Sequence, residues 1–162
     1  MNNVRLEEEL YEPMRTWLEQ YVKDKYKGYD VVAIDAHAER LDRVLAKYSI
    51  INEMANGVDI QIDVLVIAKR KENVKLFFIE AKKTQLTLRD LGQLWSYCKL
   101  VVPEEAFLMS SLGLGSLNKL LNAFRREDLL DFGDGKKIKK MKIAKWDIRT
   151  NAPDMVSMIP KI

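Results

Sequence analysis

A mixed β-sheet with helices on both faces is the fold that the sequence predicts, and three observations predict it. Residues 58–68 (VDIQIDVLVIA) and 74–81 (VKLFFIEA) are rich in branched and aromatic side chains and flank a polar turn, KRKEN, which reads as a β-hairpin. Segments before and after the hairpin carry apolar residues every three or four positions, the period of an α-helix. No repeat, low-complexity tract or Pro/Gly linker interrupts the 162 residues, so a single domain over 1–162 is expected.

In chain order, residues 4–26 predict a helix with its stripe at Leu6, Leu10, Met14, Trp17, Leu18 and Tyr21. Pro13 marks either a kink in that helix or its start. Residues 29–36 read as a strand ending near His37, and 39–49 as a second helix with Leu41, Val44, Leu45 and Tyr48 on one side. Ala55, Asn56 and Gly57 form a turn signal ahead of the hairpin. Beyond the hairpin, 86–102 predicts a helix with its stripe at Leu88, Leu91, Trp95, Cys98 and Val102. Residues 106–111 are a short buried strand, and 114–130 a further helix with Ser116 as its N-cap. The segment 138–148 alternates lysine with apolar residues, the pattern of a strand at a sheet edge. The resulting α/β fold has a mixed central sheet with a β-hairpin flanked by helices.

Composition narrows the function classes. Apolar residues make up 48% and charged residues 31%, which fits a globular chain and not a disordered one. No apolar run approaches the roughly 20 residues that a bilayer crossing needs, so no membrane role is expected. The acidic start, MNNVRLEEEL, has no signal-peptide core, and the single cysteine, Cys98, rules out an internal disulfide; both fit the cytoplasm. A net charge of +3 alone does not imply a polyanionic partner. Basic residues nevertheless gather at Lys23/Lys25/Lys27, Lys69/Arg70/Lys71, Arg125/Arg126 and within 136–145. Gathered on one face, they would follow a phosphate backbone; scattered, they are solvated turns and helix ends.

The chemistry concentrates in the hairpin. Counting outward from a turn centred between Lys71 and Glu72 places Ala68 opposite Lys75 and Asp63 opposite Glu80. Directly opposed residues have Cβ atoms roughly 4.5–5.5 Å apart, and two carboxylates at 4 Å repel by about 4 kcal/mol at an effective dielectric near 20. A purely structural hairpin gains nothing from that opposition, whereas a divalent cation bridging both reverses its sign. Lys82 follows on the same face, about 7 Å along the strand, where an ammonium can orient water or stabilise charge on a phosphorane. An E-x-K triplet alone is common; the informative feature is one borne on an apolar strand, paired across a hairpin with an Asp and followed by a helix. Asp134-Gly135-Lys136 is set aside as a turn.

The residues Ile62-Asp63, then FIEAKK at 78–83, then a helix carrying QLWSY at 93–97, resemble the PD-(D/E)XK, restriction-endonuclease-like nuclease superfamily. Gln93 and Tyr97 further resemble the Q-x-x-x-Y helix of its RecB-like and lambda-exonuclease-like branches. The resemblance covers roughly residues 4–111 and implies an α-β-β-β-α-β core, here followed by a C-terminal α-β. It implies magnesium (or manganese) bound by Asp63 and Glu80, with the main-chain carbonyl of Ala81 in the metal shell and Lys82 assisting catalysis. Gln93 and Tyr97 would lie beside the site, positioning water or the nucleic-acid backbone. Family members often add an acid from the first helix. By rotation count Glu7 alone among Glu7, Glu8, Glu9 and Glu12 falls within roughly 40° of the stripe's centre, although a helix dipole also favours an acid there. Val58 stands where many members have Pro before an Asp, and Ile62 precedes Asp63, which leaves Asp59 a weaker rival ligand.

The expected function is thus metal-dependent hydrolysis of DNA, with RNA left open. The alternative is a catalytically inactive nucleic-acid-binding or interaction module of the same fold. No recognition domain is visible, so sequence-specific cutting would call for a homodimer or another chain. His37, as a lone histidine, is read as structural, and Cys98 as core packing. The GLGS at 113–116 lacks the lysine and spacing of a P-loop.

Overall fold

The computed structural model describes residues 3–162. A 3-10 turn at Glu7–Leu10 leads into helix α1 (Tyr11–Lys25), strand β1 (Asp30–Asp35) and a short helix α2 (Leu41–Ala46). The hairpin β2 (Val64–Arg70) and β3 (Asn73–Lys82) is followed by α3 (Leu88–Val101) and β4 (Glu105–Ser110). The remainder comprises a three-residue helix α4 (Ser116–Asn118), β5 (Asp131–Gly133), β6 (Ile138–Lys140), β7 (Lys142–Asp147) and β8 (Ala152–Pro153). Six strands form one mixed sheet in the order β1-β2-β3-β4-β7-β8, and β5-β6 is a separate ribbon. β1, β2 and β3 run antiparallel; β3, β4 and β7 run parallel; β8 returns antiparallel. Among the described residues, no helix is long and apolar enough to cross a membrane.

The sheet is buried on both faces, which is why β2 and β3 read as nearly continuous apolar runs. Val64, Val66, Ala68, Phe77 and Ile79 face α1, whose Met14, Leu18 and Val22 are completely buried. Leu65, Ile67, Phe78 and Leu108 face the other way, toward α2 and α3. Each fully buried Leu, Val or Phe side chain is worth about 1.5–3 kcal/mol, so this two-sided burial pins the register. A slip by one residue would exchange the faces and drive Glu80 into the α1 core. The observed register pairs Ala68 with Lys75 and Val64 with Ile79, as counted from the turn.

Five expectations are corrected. First, α1 begins at Tyr11 and not near residue 4: Pro13 sits in its first turn, where a missing N–H costs nothing, and Leu6 is exposed. Second, the leading hairpin strand starts at Val64, not 58. β1 ends at Asp35 opposite Val64, so residues 58–62 have no neighbouring strand to join and instead cross toward α2, Leu41 N–H donating to the Ile60 carbonyl at 2.7 Å.

Third, α3 is rotated from its expected orientation: it buries Leu91, Leu94, Cys98 and Val101, while Leu88 and Trp95 are 54% and 39% exposed. Fourth, 114–130 is not one helix. It breaks into α4, a π-helical turn at Lys119–Ala123, a left-handed Arg125 and a 3-10 turn at Glu127–Leu130, and Gly115, not Ser116, is the N-cap. Fifth, 138–148 is no free edge. It divides at Met141 into β6 and β7, and β7 lies between β4 and β8. Its lysines alternate for a different reason: Lys139 and Lys142 pair with Glu104 and Glu105 at 3.6 and 2.9 Å.

Candidate active site

Extending the β2–β3 ladder by one step brings Asp63 opposite Glu80, and a main-chain N–H from each strand bonds a carboxylate of the other. Asp63 N–H donates to Glu80 Oε1 at 3.3 Å, and Ala81 N–H donates to Asp63 Oδ2 at 2.8 Å. Glu80 is 6% exposed and Asp63 half-buried. Lys82, one pleat further along β3, lies with its Nζ 3.9 Å from Asp90 Oδ1. Asp90 in turn belongs to the capping box that starts α3: its carboxylate accepts from Thr87 N–H at 2.9 Å, and Thr87 Oγ1 accepts from Asp90 N–H at 3.2 Å.

The rotation of α3 decides how Gln93 and Tyr97 are presented. With Leu91, Leu94, Cys98 and Val101 inward, Tyr97 sits roughly 80° from the centre of the buried stripe at about 100° per residue, so it is half-buried while Gln93 is exposed. Gln93 Nε2 donates to the Tyr97 hydroxyl at 3.1 Å. Glu7 lies in the 3-10 turn before α1, so the helical rotation count does not apply to it, yet its Oε2 accepts from Lys83 N–H at 3.3 Å. Glu7, Asp63, Glu80, Lys82, Gln93 and Tyr97 all line one cleft of about 290 Å³. The cleft also takes in Asp59, Gln61 and His37. Ala81 does not line the cleft: its side chain is buried in the α1 core, and its N–H donates to Asp63.

Electrostatically the pair is uncomfortable. Burial pushes the Glu80 carboxyl well above the usual range, and the neighbouring Asp63 charge pushes it further. Burial likewise raises Asp63, against the Ala81 N–H and Lys82, which favour its charged form, and with the Glu7 charge adding to the rise. Burial and the facing Asp63 and Glu7 carboxylates raise the Tyr11 phenol as well.

The sequence analysis does not pick out four neighbours of the site: Tyr11, Asp90, His37 and Gln61, the last on the irregular segment before β2. Tyr11 and Asp90 come from helix termini; the T-x-x-D spacing of Thr87 and Asp90 was a readable signal for the second. His37, expected to be structural, does pack its ring on Tyr11, with centroids 4.7 Å apart, while Nδ1 pairs with Asp35. It nevertheless reaches the cleft. Cys98 is buried in the core as read, and its thiol is raised by burial.

The basic residues Lys69, Arg70, Lys71, Lys25 and Lys142 lie away from this cleft. Lys69, Arg70 and Lys71 cap the far end of β2, about 20 Å away at 3.3 Å per residue. Lys25 and Lys142 are engaged with Glu105 at the same far end. The cleft therefore holds acids in excess: Glu7, Asp59, Asp63 and Glu80 against Lys82 and His37. Among the described residues no three His, Cys, Asp or Glu side chains already stand as a ligand set. Glu7, Asp63 and Glu80 instead accept from main-chain N–H groups, contacts that a cation would supplant. Carboxylate oxygens with few compensating donors are the donor set that hard divalent cations take. Comparison with protein-family models, with curated proteins and with solved structures returned no match.

Proposed function

We propose that the chain is a metal-dependent nuclease of restriction-endonuclease-like fold, hydrolysing phosphodiester bonds of DNA. One observation carries the reading: a buried and a half-buried carboxylate opposed across a hairpin, both pushed toward protonation, with an amine one pleat on. A divalent cation relieves that repulsion, and magnesium or manganese suits oxygen donors. Asp63 and Glu80 would hold it, with the Ala81 carbonyl and Glu7 as further donors. When bound, such an ion supplies an activated water and neutralises phosphate charge.

The chain's own groups do the rest. Lys82, tethered by Asp90, offers its ammonium to the attacking water or to charge developing on the phosphorus oxygens. Gln93 and Tyr97, already hydrogen-bonded to each other, offer an amide and a hydroxyl to the strand's backbone. Ala81 N–H holds Asp63 in its rotamer, so the hairpin itself orients one ligand.

The test is cleavage of a panel of labelled single-stranded, duplex and branched DNAs and one RNA, with and without magnesium or manganese. Wild type should cut only with metal, and Asp63→Asn, Glu80→Gln and Lys82→Met should each lose the activity while melting cooperatively. Equal cutting by wild type and all three variants refutes the assignment. The competing reading, a binding module that has lost catalysis, draws on the absence of a ready-made ligand set among the described residues. Retained DNA binding with no stabilisation by any divalent ion would favour it.

A further inference from the structure

The second lysine of the FIEAKK run has no part in the chemistry above, yet it is the more fully engaged of the two. Lys83 is the first residue past β3. Each of its three hydrogen-bonding groups goes to one short segment, residues 3–7. Its Nζ donates to the Arg5 carbonyl at 2.8 Å, its own carbonyl accepts from Asn3 Nδ2 at 2.9 Å, and its main-chain N–H donates to Glu7 Oε2 at 3.3 Å. Ser111, just past the end of β4, adds a fourth tie, its hydroxyl donating to Asn3 Oδ1 at 2.5 Å.

Little else holds this segment. Arg5 is exposed and Leu6 is 60% exposed, and only the half-buried Val4 packs against the α1 core. Polar ties therefore do what apolar burial does for the helices. Glu7 opens the lone 3-10 turn Glu7–Leu10. Buried Leu10 anchors the last residue of that turn, but a single turn is too short to hold its own first residue in place. The place of Glu7 in the cleft depends on the ties to Lys83.

Glu7 meets Asp63 and Glu80 from a different part of the chain: they stand on the hairpin, and it stands on the tied segment. A donor already in position binds an ion without the cost of being ordered, and the groups that orient ligands strengthen binding for that reason. An ion that supplants the Lys83 N–H on Glu7 leaves the ties through Arg5 and Asn3 intact, so the segment stays docked while the carboxylate changes partner.

We infer that Lys83 is a positioning residue: together with Asn3 it clamps residues 3–7 to the end of β3 and so sets Glu7 as the third carboxylate donor to a divalent cation. The inference rests on the metal-binding reading above and deepens it, by naming the groups that fix the third ligand.

The test is calorimetric titration of manganese into metal-free protein near pH 8, for wild type, Glu7→Gln, Lys83→Met, Lys83→Arg, Asn3→Ala and the double variant carrying Glu7→Gln and Lys83→Met. Melting in EDTA controls for the fold of each. Glu7→Gln and Lys83→Met should each raise the manganese Kd about tenfold, the size expected for a group that orients a ligand. Asn3→Ala should weaken binding in the same direction, and Lys83→Arg, which still offers a donor to the Arg5 carbonyl, should bind near wild type. In the Glu7→Gln background Lys83→Met should add nothing, because its effect passes through a carboxylate already removed. A general loosening of the fold would weaken both backgrounds alike. Unchanged affinity in Glu7→Gln or Lys83→Met, or an equal loss from Lys83→Met in both backgrounds, overturns the inference and leaves the Asp63–Glu80 site standing. No manganese binding by wild type sinks the metal reading itself, and the clamp's role with it.

Discussion

Glu80→Gln should stabilise the metal-free protein at alkaline pH, which is the reverse of the usual outcome for a buried substitution. The folded state holds the Glu80 and Asp63 carboxyls above their unfolded values, mainly through burial. Between those two sets of values the folded chain binds more protons than the unfolded one, so stability falls as pH rises from about 4 toward 8. The loss has a size. Two carboxylates about 5 Å apart at an effective dielectric of 20 repel by about 3 kcal/mol. Gln at 80 removes that repulsion while its side-chain oxygen still accepts the Asp63 N–H. In a domain of this length each kcal/mol shifts Tm by about 2–4 °C, so the variant should melt about 6–12 °C higher near pH 8 and nearly level with wild type near pH 4. The assay is thermal melting in EDTA across that range, then again with millimolar magnesium or manganese. Metal should lift wild type, increasingly so as pH rises and the ligands lose their protons, and leave the variant unmoved. A variant that melts at or below wild type at pH 8, or that gains as much from metal, refutes the reasoning.

Two further predictions concern the scaffold. Leu94→Ala should cost about 2–5 kcal/mol by leaving a cavity, whereas Leu88→Ala, at an exposed position on the same helix, should change stability by no more than about 0.5 kcal/mol; urea denaturation of the two variants checks the rotation of α3 directly. Gly115→Ala should lower Tm measurably, because a Cβ there would stand 2.5 Å from the Leu86 carbonyl at a backbone φ of 55°, and a melt equal to wild type would show that the turn before α4 can yield.

What was legible in the sequence was whatever short-range pattern alone decides. The hairpin register followed from counting outward from a two-residue turn, so Asp63 and Glu80 met as counted. The orientation of α3 was not legible, because Leu88, Trp95 and Val102 form one apolar stripe and Leu91, Leu94, Cys98 and Val101 another. Only the sheet's Phe78 and Leu108, packed in the same core as the second stripe, select between them. The break after α4 escaped for a similar reason: Leu117 and Leu121 keep one face, but the chain then turns at a left-handed Arg125 that no local residue type demands. Lysines at 139 and 142 looked like edge residues because their partners, Glu104 and Glu105, lie more than thirty positions earlier. Glu7 reached the cleft by a route other than the one counted, through a 3-10 turn and the Lys83 amide.

The far end of the same strands supplies an internal control for the whole argument. Glu105 is 4% exposed, as deeply buried as Glu80, yet each of its oxygens has two donors. Tyr21 Oη and Lys142 Nζ reach Oε1 at 2.7 and 2.9 Å, and Tyr26 Oη and Lys25 Nζ reach Oε2 at 2.6 and 3.0 Å. Burial raises that carboxyl, but the Tyr26 hydroxyl and Lys142 outweigh it, and the net shift is downward. This fold can therefore compensate a buried acid fully, and it does so where the acid is structural. At Glu80 it offers one amide at 3.3 Å and a lysine whose ammonium lies beside Asp90. The two glutamates should then respond oppositely to one substitution. Glu105 has a depressed pKa, so its contribution is complete at pH 8 and is lost only as pH falls through the folded value. Glu105→Gln removes the charge that Lys142 and the exposed Lys25 share and leaves the half-buried Tyr21 and Tyr26 hydroxyls with one amide oxygen between them; it should cost about 1–3 kcal/mol, lowering Tm where Glu80→Gln raises it. Parallel melts of the two variants in EDTA at pH 8 decide the matter. Shifts of the same sign would mean that the cleft carboxylates are ordinary structural acids, and would leave the proposed metal without its reason to bind.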